Sequence, residues 1–278
     1  MKYIKFLIVS ALIISLSGCG QISKENNDKK VIKVALSAEV NPPFLYTDSD
    51  NNPVGYDMDY MKALEKKLPQ YDFQYEFGEE ESNVVGIGVG KFDMGINWFF
   101  KTPEREEKFL YQKEPYVYSL TTLIVHNETN DTNDIETLDD LHNKRLTPMA
   151  PSGGLYSILS GYNKSHKQQI DIDEIQKVSN GENFKMIESK RRDAMFLNLT
   201  TYQAIQKELN ADVKVGGVVS KESIHILYNN KNTQLQKDID KATKELKEDG
   251  TLVKLSKKWF GFNVFEDRDS LNDIKDRL

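Results

Sequence analysis

Arg105 is the residue of this chain whose type and setting point most directly to chemistry. It stands in Thr102-Pro103-Glu104-Arg105. A hydroxyl residue followed by proline starts a helix: the hydroxyl takes up a free backbone N–H, and proline lacks one that would have no partner there. Arg105 therefore falls in the first helical turn, where a cation works against the helix dipole. Glu104, Glu106 and Glu107 suit that dipole and Arg105 does not. One account is that the guanidinium and the helix start share an external anion. A second anion-holding pattern lies at Pro151-Ser152-Gly153-Gly154, before a helix with Leu155, Ile158, Leu159 and Tyr162 on one face. Backbone N–H groups at such a glycine-bearing turn point outward with no side chain in the way.

These patterns suit binding more than catalysis. His126, His142, His166 and His225 are scattered, and none is spaced with acids or cysteines as a metal site or a nucleophilic triad requires. No metal or cofactor is called for. Gly86-Ile87-Gly88-Val89-Gly90-Lys91 resembles a phosphate loop only superficially, since no Ser or Thr follows the lysine and a strand, not a helix, comes next. The net charge of −6 argues against a nucleic-acid partner, because nothing here would neutralise phosphates.

The elements that must position Arg105 follow from periodicity. Residues 92–97 read as a short buried strand, and Trp98, Phe99 and Phe100 then crowd one loop with aromatic surface. Residues 31–36 alternate and read as the first strand. Residues 48–53 form a turn-rich segment joining two hairpin strands. A helix follows with Met58, Met61, Leu64 and Leu68 on one face; Asp57 and Asp59 belong to its start and are not read as a catalytic pair. Tyr71, Phe73, Tyr75 and Phe77 alternate as a strand whose aromatic face is expected in the core. Glu79-Glu80-Glu81 could form a cation-attracting rim but is read as a solvated loop, before a short helix capped by Ser82. Further on, 120–125 is β-rich, 137–141 a short helix, 144–149 a strand, 183–190 a helix and 192–197 a strand. Residues 213–219 and 224–228 are two more strands. Residues 232–247 form a long helix with Leu235, Ile239, Ala242 and Leu246 inward. A chain of 278 residues has length for one large domain or two ordinary ones.

The N-terminus is a targeting segment. Lys2 and Lys5 precede the apolar run 6–16, which is too short for an ordinary membrane span. Leu16-Ser17-Gly18-Cys19 is similar to the bacterial lipoprotein processing site. Cys19 is the one cysteine of the chain, and lipid attachment would account for it. Residues 1–18 are then a signal peptide and 19–30 a polar tether.

The chain from about Val31 to Val264 resembles the extracytoplasmic amino-acid-binding proteins of ABC importers, solute-binding protein family 3. The marks are Gly90-Lys91-Phe92-Asp93, the apolar strand after it, Thr102-Pro103-Glu104-Arg105, Gly55-Tyr56-Asp57-Met58-Asp59 and Arg192-Asp193-Ala194. Asn97 with Lys101 to Arg105 is similar to the cystine and sulfur-amino-acid branch. The resemblance implies an α/β, two-lobed periplasmic-binding-protein-like fold of type II, each lobe a mixed sheet flanked by helices, with two hinge crossings. Lobe 1 would be 31–118 with 222–278, and lobe 2 would be 119–221.

It also implies site residues. Arg105 matches the arginine that binds the ligand's α-carboxylate, and Ser152, Gly153 and Gly154 the loop that grips it from the other lobe. Asn97, Trp98 and Phe100 would line the pocket. Phe44 supplies an aromatic where the family's usual one is replaced by Asn41. The family's ammonium-binding aspartate is Asn198 here, which keeps a hydrogen-bond acceptor but loses the ion pair. Either another acid, such as Glu39, replaces it, or the ligand's cationic end is recognised differently. The implied function is a lipid-anchored, monomeric receptor that passes an amino-acid-like zwitterion to an importer permease. A dehydratase of similar fold, acting on a carboxylate-bearing ring, would need a positioned general acid, and Asn198 removes the best candidate. A sensor module would need a separate signalling partner.

Overall fold

The computed structural model describes residues 29–38, 42–128, 135–151, 153–175 and 179–266. Cys19 with the leader, most of the tether, Glu39, Asn41, Ser152 and the tail from residue 267 lie outside the described residues.

Strand β1 (Lys30–Ser37) is exposed at its start and buried from Val34 onward, as suits a strand with neighbours on both edges. A hairpin of β2 (Tyr46–Thr47) and β3 (Pro53–Val54) follows. Its turn is held by Asp48, whose carboxylate accepts the N–H groups of Asp50 and Asn52, each at 2.9 Å. Helix α1 (Tyr56–Lys67) is entered through Gly55 at φ 128°. A Cβ there would stand 2.1 Å from the Phe44 carbonyl oxygen, so glycine is needed both for the dihedral and for the approach. On β4 (Tyr71–Gly78), Tyr71 and Phe73 are buried but Phe77 is 48% exposed, so only half of the aromatic stripe is core.

Helix α2 (Glu80–Val89) starts earlier than expected: its N-cap is Glu79, not Ser82, which places the acidic run in its first turn. Strand β5 (Met94–Phe100) runs three residues past the expected end and takes in Trp98, Phe99 and Phe100. Helix α3 (Pro103–Lys108) begins as read, with Thr102 as its N-cap. Strands β6 (Leu110–Tyr111) and β7 (Val117–His126) follow. The helix expected at 137–141 is a single 3-10 turn, Asp139–Leu141. Residues 144–149 form no strand; Leu146 and Met149 each make one isolated bridge, to Ala194 and Glu174. Helices α4 (Gly154–Ser165) and α5 (Asn180–Glu188) come next, the second starting in a reciprocal cap between Ser179 and Glu182. The chain ends its described part with β8 (Met195–Asn198), α6 (Leu199–Leu209), β9 (Val213–Tyr228), α7 (Thr233–Glu248) and α8 (Thr251–Phe260).

The sheet runs β4-β1-β5-β9-β7-β8, with β6 also paired to β9. The two strands expected at 213–219 and 224–228 are one, because residues 220–223 pair with Tyr118 to Thr121 of β7 and so keep their ladder partners. β9 therefore meets β7 along its length and β5 and β6 at its end.

Buried apolar residues gather in groups toward the two ends of this long pair. Ile32, Val34, Tyr60, Met61, Ile226, Ile239 and Leu252 belong to one, drawn from 32–117 and 224–264. Leu120, Phe184, Ile187, Met195, Leu197 and Val213 belong to another, and Leu123, Leu146, Leu159 and Phe196 to a third. On α7, Leu235, Ile239, Ala242 and Leu246 are buried as their spacing requires; each large aliphatic side chain contributes about 1.5–3 kcal/mol. Among the described residues no helix is long and apolar enough to cross a membrane.

Candidate functional site

A cleft of about 470 Å³ is lined on one side by residues of β1, α2, β5 and α3, and on the other by residues between Thr147 and Thr201. Arg105 reaches it from α3. The Thr102 hydroxyl oxygen accepts the Arg105 N–H at 3.3 Å, which sets the helix start. Its side chain, 24% exposed, crosses the Phe99 ring at 5.4 Å, and its Nη2 donates to Oε1 of Glu80 at 3.2 Å. Glu80 is part of the cleft wall. Reading it as part of a solvated loop missed this. The available signal was the run of three acids at a helix start, which suits the dipole but leaves open where each side chain points.

The aromatic segment does line the cleft through Trp98 and Phe100, and Asn97 stands with them. Trp98 has φ 54°, a left-handed conformation that costs a bulky residue on the order of 1–3 kcal/mol. It is 8% exposed, its indole Nε1 has no hydrogen-bond partner among the described residues, and its ring centroid lies 3.4 Å from that of Phe44. Phe44 itself is absent from the cleft wall. At 1% exposure it is a core residue whose ring packs against those of Trp98 and Phe260. It supports the tryptophan from behind and cannot stack on a ligand in the cleft.

From the opposite side, Gly153 and Gly154 open α4 toward the cleft. The Gly153 N–H already donates to the Ala150 carbonyl at 3.2 Å, so this structure does not offer it outward. The Phe100 ring lies against Gly154. Asn198 lines the cleft at the end of β8, and its Oδ1 accepts the Ser119 hydroxyl at 2.9 Å. Sequence reasoning missed Asn183. It is 5% exposed and lines the cleft, its Nδ2 donates to the Pro148 carbonyl at 3.1 Å, and its Oδ1 has no partner among the described residues. The Ser179–Glu182 cap could have located the helix start, but not the face that Asn183 takes.

Among the described residues of the wall, Arg105 and Glu80 are the charged ones; Asn97, Thr147, Asn180, Asn183, Asn198 and Thr201 supply neutral polar groups. Asp57 and His225 are among the titratable groups buried elsewhere. Burial raises the Asp57 carboxyl to about 7, against a hydrogen bond from Tyr116 that favours the ionised form. Burial, helped by the charge of Lys101, lowers His225 to about 4. Among the described residues no group of three or more His, Cys, Asp or Glu could hold a metal ion.

A cleft with one guanidinium and one carboxylate between two sides of a mixed α/β molecule defines a small-molecule binding protein of the type II periplasmic-binding-protein fold. Residues 32–262 match the bacterial extracellular solute-binding proteins, family 3, and the chain belongs to that family. It is 30% identical to the L-cystine-binding protein TcyJ of Bacillus subtilis over 92% of this chain and 93% of that one. It is 32% identical to the L-cystine-binding protein TcyK of the same organism over 91% of this chain and 94% of that one. A crystal structure of YtmK from Bacillus subtilis, described as a probable amino-acid ABC transporter extracellular-binding protein, superposes with a TM-score of 0.73. It is 28% identical, covering 84% of this chain and 98% of that one.

Proposed function

We propose that this chain is a receptor for an amino acid or related zwitterion, cystine being the first candidate, which it presents to the permease of an ABC importer. It acts as a monomer and catalyses nothing. Two lobes, 31–118 with 222–278 and 119–221, close over the ligand by bending at the β7–β9 pair, driven by contacts the ligand makes with both lobes at once. A lipid on Cys19 holds it to the outer face of the cell membrane.

The observation that carries the reading is the pairing of Arg105 with a carboxylate in the cleft wall: the guanidinium stands where an anionic group is already held at 3.2 Å. A planar fork of donors is suited to a ligand carboxylate. The two L-cystine-binding relatives direct attention to disulfide-containing amino acids. Thermal denaturation of the purified protein against the common amino acids and L-cystine tests it. A ligand at a thousand times its dissociation constant should stabilise by about 4 kcal/mol. No shift with any of them would overturn the reading.

A further inference from the structure

We propose that Glu80 is the group that reads the ligand's ammonium, so that the Glu80–Arg105 pair as a whole recognises the α-amino-acid zwitterion. This rests on the receptor reading above. Asn198 is poorly suited to the task, since it is neutral and the Ser119 hydroxyl already takes one of the two lone pairs of its Oδ1. Glu80 is the one carboxylate among the described residues of the cleft wall.

Its position fits the ligand's geometry. An α-amino acid bears its carboxylate and ammonium on the same carbon, so the groups that receive them must be neighbours of opposite charge. Nη2 of Arg105 and Oε1 of Glu80 are 3.2 Å apart. A guanidinium has five N–H donors and a carboxylate about four acceptor sites. The contact between them therefore leaves the remaining donors of Arg105 for the ligand carboxylate and the remaining acceptor sites of Glu80 for the ammonium. Arg105 also holds Glu80 in place, so little side-chain freedom is lost when the ligand arrives. Asn183, on the other side of the cleft, adds a buried Oδ1 with no partner among the described residues.

The test compares two probes on the purified protein and its Glu80→Gln variant by titration calorimetry: L-cystine, and 3,3′-dithiodipropionate, the same disulfide without its ammonium groups. Glu80→Gln keeps the shape and removes the charge. L-Cystine should bind about tenfold to a hundredfold more weakly to the variant. The des-amino probe should bind more tightly to it, because a carboxylate that repels the probe has gone. This crossing of affinities is the expected result. If both probes gain, Glu80 merely competes for Arg105; if both lose alike or neither changes, it does not contact the ammonium. A crossing produced by Glu39→Gln and not by Glu80→Gln would move the role to Glu39. Each of these overturns the assignment while leaving the receptor intact. Absence of binding of L-cystine and of every common amino acid to the native protein would instead defeat the receptor reading itself. Glu80 is 43% exposed at its side chain, and circular dichroism of the variant should match the native protein.

Discussion

A Cβ atom on Gly154 would stand 2.2 Å from Cδ2 of Phe100 and 2.7 Å from its Cγ. The phenyl ring of β5 thus lies on the first turn of α4, and the two sides of the cleft touch through a glycine that has no side chain to resist. Phe100 cannot withdraw freely, because its backbone pairs with Ile224 and its carbonyl accepts the Tyr111 hydroxyl at 3.0 Å. Gly154→Ala should therefore cost roughly 1–3 kcal/mol as an overpacked contact. In a Phe100→Ala background the same change should cost little. Urea unfolding of the four proteins of this cycle gives the coupling directly.

The affinity of the receptor should depend on the fork of Arg105. Arg105→Lys keeps the charge and loses the planar pair of donors, so binding of the identified ligand should weaken. Arg105→Ala should cost on the order of 2–5 kcal/mol, because a carboxylate would be enclosed without its cation. Folding stability should change by no more than about 1 kcal/mol, since the partner Glu80 is well exposed. Calorimetry and thermal unfolding separate the two effects. Unchanged affinity in Arg105→Ala would place the carboxylate elsewhere.

Two buried groups should tilt stability with pH in opposite directions. Asp57 is raised from 3.8 to about 7 by burial, so the native state holds its proton more tightly than the unfolded chain. The stability linked to that proton is complete below about pH 3.8 and is lost as pH rises through about 7. His225 is lowered from 6.5 to about 4, and its contribution is present above 6.5 and is lost as pH falls through about 4. Between pH 4 and 6.5 the two contributions oppose each other. Asp57→Asn should unmask the His225 slope, with stability rising toward neutral pH by a few kcal/mol. His225→Gln should unmask the opposite slope. Denaturant titrations at pH 4, 5.5 and 7 measure both.

Trp98 should report the ligand. Its indole lines the cleft, held over Phe44 in a left-handed backbone. Ligand addition should change tryptophan emission, and Trp98→Phe should abolish the change. A response that survives would belong to Trp259, the other tryptophan of the chain.

Cys19→Ser tests the anchor. The variant should be released to the medium or left unprocessed, as fractionation and the mass of the mature chain will reveal. Membrane retention with normal processing would exclude lipid at Cys19.

What the sequence by itself determined were the features written over a few neighbouring residues. Thr102-Pro103 specifies a helix start because the hydroxyl and the N–H it satisfies are three residues apart, and the contact forms at 3.3 Å. Leu235, Ile239, Ala242 and Leu246 specify the buried face of α7 because helical geometry alone puts them in a row. The family resemblance added Arg105 to the cleft, where its side chain is found. The tertiary structure decided what depends on distant chain segments meeting. Glu80 faces the cleft because α2 delivers it to an arginine 25 residues away. Phe44 is in the core and not in the cleft because its ring packs against both Trp98 and the distant Phe260. Residues 220–223, polar enough to suggest a break, remain strand because β7 satisfies their backbone groups. Local capping and periodicity are encoded in consecutive side chains, whereas each of these outcomes is set by a partner that becomes a neighbour only on folding.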